Sequence, residues 1–188
     1  HLTYHEGTPF YTWLKKGTLK QLKEEESILQ FQMLIEMAKE NGFEQYEISN
    51  FARDQKYSKH NSSYWKGIKY LGLGPSAHSF NRVSRSWNVS HIESYIKAIE
   101  AGLPYSENEI LTENNKYNEY ILTRLRTIWG VSAGDLENSF GAAKATWFQQ
   151  NIVKYITTGL VKQQDGIYTL TENGMFVSDE IMANLMFI

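Results

Sequence analysis

Two of the five histidines in this 188-residue chain, His60 and His78, lie within a single stretch, YEISNFARDQKYSKHNSSYWKGIKYLGLGPSAHSF, at residues 46–80. Imidazole is the side chain best suited to bind a transition metal or move a proton near neutral pH. Between Arg53 and Arg85 the chain is strongly basic: Arg53, Lys56, Lys59, Lys66, Lys69, Arg82 and Arg85 face Asp54 alone, although the whole chain carries a net charge of −2. Aromatic residues interleave with these cations, among them Tyr46, Phe51, Tyr57, Tyr64, Trp65, Tyr70 and Phe80. A basic, aromatic, histidine-bearing surface suits a large planar anion better than a small metabolite. His60 sits between Lys59 and Asn61 on what reads as a polar loop between two strands. A histidine that only hydrogen-bonds a neighbouring strand fits the same residue types, because one imidazole without a partner ligand is weak evidence. His78 lies on a glycine-bearing segment beside Ser79, where a role within the protein is the simpler reading.

Other chemistries find little support. Gly72-Leu73-Gly74 lacks the GxGxxG spacing and the following helix start of a dinucleotide loop. No strand–nucleophile–helix elbow is recognisable. The chain has no cysteine, which excludes disulfides, thiolate zinc sites and cysteine-held iron–sulfur clusters within it. No apolar run reaches the ~20 residues of a membrane span. The N-terminal HLTYHEGTPF has neither the basic nor the apolar region of a signal peptide. Aromatics at 14% and hydrophobic residues at 41% are values of a folded chain.

The elements that position these residues are legible in outline. Residues 1–6 read as a short strand. Thr8-Pro9 opens a helix that Gly17 stops. Thr18 to Gln21 forms a capping-box pattern for a longer helix through Leu22, Leu29, Met33 and Met37, ended at Asn41-Gly42. Residues 44–51 form the next strand, carrying Glu47 and Asn50. Strand, long crossover helix and strand in this order predict a parallel βαβ unit. Residues 70–80 read as another strand, whose Gly72 and Gly74 mark a bulge or a close backbone approach. Ser90 to Glu93 is a second capping box, opening a helix that Gly102 stops. Residues 103–111 read as a linker. From Thr112 onward the pattern is helix, helix, helix, then two short strands around the Asp165-Gly166 turn signal, then a last helix from Thr171. That order predicts a winged-helix-like unit at 112–188. It contains six basic and eight acidic residues, too acidic a balance for phosphate binding, which leaves a nucleic-acid-binding module as the outsider.

The blocks YEISNFA, HNSSYW and YLGLGPSAHSF resemble the oxygen-independent coproporphyrinogen III oxidase family of radical SAM proteins. His60-Asn61-Ser62-Ser63-Tyr64-Trp65 is similar to the HNxxYW mark of that family's haem-chaperone branch. The resemblance implies an α/β plus α+β architecture: residues 1–102 as the C-terminal part of a partial (β/α) barrel, then the winged-helix-like unit. It implies haem binding by His60, Asn61, Tyr64 and Trp65, with His60 as axial iron ligand and Lys56, Lys59 and Lys66 pairing with propionates. Glu47, Asn50, Gly72, Gly74 and His78 become candidates to line the barrel, although Glu47 and Asn50 read equally well as outward-facing. The family's CxxxCxxC cluster motif is missing, so the chain reads as the C-terminal half of a longer protein. No cofactor is expected in this chain alone, and haem, a [4Fe–4S] cluster and S-adenosylmethionine belong to the parent. The implied function is a haem chaperone delivering to an acceptor protein, with coproporphyrinogen oxidation as the alternative. The oxidases carry Phe-Gln where this chain has Ser62-Ser63, which disfavours that alternative. Cytoplasm is the default compartment. A strand edge left open by an incomplete barrel makes a homodimer plausible.

Overall fold

The computed structural model describes residues 4–188. α1, Pro9–Lys15, starts as expected, with the Thr8 hydroxyl accepting from Tyr11 N and proline in the first turn. The strand expected at 1–6 lies partly outside the described residues, and Tyr4 and His5 are not in a strand. α2, Glu24–Glu40, begins several residues later than the Thr18 capping pattern predicts. Its N-cap, Lys23, makes no side-chain cap, and three glutamates occupy the first turn. Negative charge against the positive end of the helix dipole therefore takes the place of the capping box.

β1, Glu44–Glu47, and β2, Asn50–Ala52, form an antiparallel hairpin where a single strand was expected. The cause is local: Glu47 Oε2 accepts hydrogen bonds from Ser49 N at 2.9 Å and Asn50 Nδ2 at 2.6 Å, folding the chain back on itself. α3, Lys59–Trp65, follows, then β3, His78–Phe80, β4, Ser84–Asn88, α4, Ile92–Glu100, and β5, Ser106–Ile110. Strands β3, β4 and β5 make an antiparallel meander. The parallel pairing predicted for this half is thus corrected: every strand pairing among the described residues is antiparallel. Short connections suffice for antiparallel neighbours, and these strands follow one another closely in the chain. The segment expected as a linker carries β5, and His91 rather than Ser90 caps α4. The strand expected at 70–80 shrinks to β3 and a bridge between Tyr70 and Phe80.

The remaining elements follow the winged-helix order. α5, Glu113–Leu125, is capped by Thr112, and β6, Val131–Ser132, comes next. α6, Ala133–Thr157, is broken at Gly141, whose φ of 82° and ψ of 167° separate the two helices that the sequence indicates. β7, Val161–Gln164, and β8, Ile167–Leu170, close the hairpin, with positive φ at both Asp165 and Gly166 as a two-residue turn of this twist requires. α7, Glu172–Phe176, and α8, Ser178–Leu185, end the chain's helices, and the sheet order is β6–β8–β7.

The hydrophobic core belongs almost wholly to this last part. Tyr117, Ile121 and Leu125 of α5 meet Leu136, Phe148 and Ile152 of α6 and Ile181 and Leu185 of α8, all essentially inaccessible to water. The Tyr117 hydroxyl donates to Leu185 O at 3.0 Å, so its buried polar atom is satisfied. Before Leu111 the only buried hydrophobic residues among those described are Ile35, Tyr46 and Ala52. The apolar face read on α2 is real in period but open to solvent: Leu29, Met33 and Met37 are each more than half exposed.

This distribution predicts a contrast. Phe148→Ala should lower unfolding free energy by about 3–5 kcal/mol, the usual cost of emptying an aromatic core site. Met33→Ala should stay within about 0.5 kcal/mol. Equilibrium denaturation of the two variants measures both, and equal effects would contradict the assignment of the core.

Candidate functional site

α3 is a short helix rather than the loop expected around His60, and Ser58 makes the difference. Its hydroxyl accepts from Asn61 N at 3.2 Å and caps the first turn. Helical spacing then divides the HNSSYW block between two faces. His60 and Tyr64, four residues apart, share the outer face, with His60 Nε2 at 3.2 Å from Tyr64 Oη and the rings edge-on at 5.0 Å. Both are exposed.

Asn61 and Trp65, one position further on and about 100° round the helix, share a neighbouring face and hold the helix down. Asn61 Nδ2 donates to Asn50 Oδ1 at 3.0 Å, and Trp65 packs against Tyr46 with centroids 5.8 Å apart. Asn50 in turn donates to Glu47, whose other oxygen accepts from Arg126 Nε at 2.9 Å. Glu47 is 2% exposed, so this carboxylate is buried with three donors around it. Backbone pairing runs alongside: Ile48 N donates to Arg126 O, and Ile128 N to Tyr46 O. The turn after α5 is thereby stitched to β1.

Aromatic rings extend both faces. Beneath α3, Tyr46 contacts Tyr57 and Trp129 as well as Trp65, and Lys66 lies over the Trp129 ring at 4.7 Å. Tyr57 donates to the Glu44 carboxylate, and that bond, with burial and the neighbouring charge, pushes its pKa up to about 12. On the outer side, Tyr64 meets Tyr70 at 4.7 Å and Tyr70 meets Phe80 at 5.8 Å. Burial raises the Tyr70 pKa, with Arg85 opposing. Between α3 with β3 and β4 on one side and α5 with α6 on the other lies a cleft of about 750 Å³. Arg85 crosses it to pair with Glu119, whose pKa burial raises against the lowering effect of that arginine.

The other anticipated residues are more dispersed. Lys56 pairs with Asp54 at 3.4 Å on the surface, and Lys59 opens α3 in solvent. Gly72 is where another group approaches the backbone: a Cβ there would stand 2.2 Å from His78 O. Gly74 has open space around it and is set instead by a φ of 96°. His78 is exposed and turns toward Trp87, at 6.3 Å between rings. Sequence reasoning missed Arg126 and Trp129 altogether. Both lie some sixty residues or more beyond the block they support, and no local pattern marks them.

The residues present do not fit an iron–sulfur cluster, since the chain has no cysteine. Among the described residues no group of three or more His, Asp or Glu is placed to hold a metal ion, and no helix is long and apolar enough to cross a membrane.

Comparison with known proteins agrees with this picture. Residues 111–177, the winged-helix-like part, match the family described as HemN C-terminal domain. Heme chaperone HemW of Bacillus subtilis is 30% identical over 175 residues, covering 93% of this chain and 46% of that protein. The Lactococcus lactis heme chaperone HemW is 24% identical over 98% of this chain and 48% of its own length. The chain thus spans about half the length of these curated relatives. Among solved structures, the Escherichia coli coproporphyrinogen III oxidase HemN, a radical SAM enzyme, superposes with a TM-score of 0.65 over 82% of this chain and 39% of its own, at 16% identity. That likeness is one of fold. Fold and sequence together define a protein of the HemN/HemW-like radical SAM class. The matches support a C-terminal fragment of a protein of that class.

Removing the partner of a buried carboxylate is costly, by about 3–5 kcal/mol when both groups are buried. Arg126 is partly exposed, at 35% of its side chain, so Arg126→Ala should cost less, about 2 kcal/mol after discounting for solvent. Adding Glu47→Gln should recover part of the loss, because it removes the stranded charge. Denaturation of both variants tests this. A double variant no better than the single would show that Glu47 is not held by charge pairing.

Proposed function

We propose that this chain forms a haem-binding surface of a haem chaperone, with the outer face of α3 as the iron-binding element. The carrying observation is the division of the HNSSYW helix, in which Asn61 and Trp65 anchor one face while His60 and Tyr64 stand exposed on the other. An imidazole held in orientation by a neighbouring hydroxyl is a suitable axial ligand. Relatives that match 93% and 98% of this chain carry the name heme chaperone, which supports the reading for this chain. In this proposal haem is cargo passed to an acceptor protein, and an exposed α3 leaves the bound iron approachable.

Lys56, Lys59 and Lys66 flank the helix and supply positive charge for the propionates. Each exposed pair contributes no more than about 1 kcal/mol. Most of the affinity must come from iron ligation and ring burial, so losing the imidazole should matter more than losing one charge. Cluster and S-adenosylmethionine chemistry falls to residues that this chain does not contain. Anaerobic reconstitution with iron and sulfide should therefore give no stoichiometric cluster absorbance on it.

The direct test is a haemin titration followed by Soret absorbance. His60→Ala should abolish the ligated spectrum and weaken binding at least tenfold, whereas Lys59→Ala should weaken it only a few-fold, as a loss below about 1 kcal/mol implies. Wild-type affinity and spectrum in His60→Ala would exclude His60 as the ligand.

A further inference from the structure

We propose that the cleft between α3 and α5 seats the carboxylate edge of a tetrapyrrole, with Arg82 and Arg124 as its carboxylate-binding residues. The proposal rests on the haem-binding reading and deepens it, because the basic residues singled out around His60 include neither Arg124 nor the wall formed by α5 and α6.

At about 750 Å³ the cleft falls within the roughly 300–1,000 Å³ typical of sites for small organic ligands. Tyr64, Tyr70 and Phe80 line one wall, and Tyr120 and Phe140 the other. Opposed aromatic walls accept a flat macrocycle and exclude water from its faces. Tyr64 joins the cleft to the ligand face of α3, since its hydroxyl contacts His60.

Charge gives the orientation. The lining contains five cations, Lys66, Arg82, Arg85, Lys116 and Arg124, and three carboxylates, Glu113, Glu119 and Asp135. Glu119 is taken by Arg85, and Glu113 by Lys116 at 2.7 Å. Asp135 accepts from the Tyr120 hydroxyl at 3.3 Å. Arg82, Arg124 and Lys66 have no carboxylate within ion-pair distance among the described residues. The excess of two positive charges matches the two carboxylates of haem. Arg82 is preset, its Nε donating to Gly67 O at 2.9 Å and leaving the terminal nitrogens for a ligand. Arg124 rests over the Tyr120 ring at 5.7 Å, which places its guanidinium beside an aromatic wall. Guanidinium is the cation whose planar fork fits a carboxylate through two bonds, and it loses less on partial desolvation than an ammonium.

The experiment compares haemin with haemin dimethyl ester on the full chain. The variants are wild type, Arg82→Ala/Arg124→Ala, Arg82→Lys/Arg124→Lys and His60→Ala. The expected result is at least a tenfold weaker haemin affinity for the double alanine variant, an unchanged Soret band at saturation, and partial recovery with lysine. The ester should bind the wild type and the double alanine variant alike, which also shows that the variant is folded. If the double alanine variant binds haemin as tightly as wild type while His60→Ala does not, the cleft assignment is overturned and the α3 reading stands. Should wild type bind neither haemin nor its ester, both are overturned.

Discussion

One buried carboxylate organises the candidate site. Removing an ionised group from water is expensive unless its lone pairs are met by donors, and Glu47 meets three. Two come from its own hairpin, Ser49 N and the Asn50 amide, and the third is Arg126 at the end of α5. The requirement to satisfy this group therefore sets two things together. It forces the chain to reverse after β1, and it ties that hairpin to the helical part that holds the core. Asn50, oriented by Glu47, presents its oxygen to Asn61 and fixes the angle at which α3 leaves the surface. The chain of hydrogen bonds that begins at Arg126 ends at Asn61, the residue next to His60.

Anchoring and exposure are separated by the period of the helix. Positions four apart share a face, so a six-residue block with functional groups at its first, second, fifth and sixth positions divides into two pairs. Asn61 and Trp65 spend their polar and aromatic groups on Asn50 and Tyr46. His60 and Tyr64 contact each other and are exposed, and Tyr64 also packs edge-on to Tyr70. A fixed base beneath the exposed pair holds that pair in place while leaving it open to solvent.

Stability is distributed unevenly along the chain. Fifteen buried residues from α5 to α8 form one cluster, whereas the earlier half buries few side chains and leaves most of the apolar stripe of α2 and all three isoleucines of α4 open. What order the first half has comes from hairpin hydrogen bonds, from aromatic stacking around Tyr46 and Trp129, and from the Glu47–Arg126 pair.

Local chemistry in the sequence determined much of the secondary structure. Thr8-Pro9 and Thr112 start their helices, Gly141 breaks α6, and Asp165-Gly166 turns β7 into β8, because capping, positive φ and proline geometry act within a few residues. The HNSSYW block and its basic setting were legible for the same reason, as was the close approach that Gly72 permits. Pairing partners were not. The strand read at 44–51 became a hairpin because a side chain, Glu47, competed for the backbone, and the Thr18 capping box lost to the glutamates of α2. Only the tertiary structure brought Arg126 and Trp129 under α3 and set Arg124 across a cleft from Arg82. Contacts between residues dozens of positions apart depend on which buried groups must be satisfied together, and no local spacing encodes that.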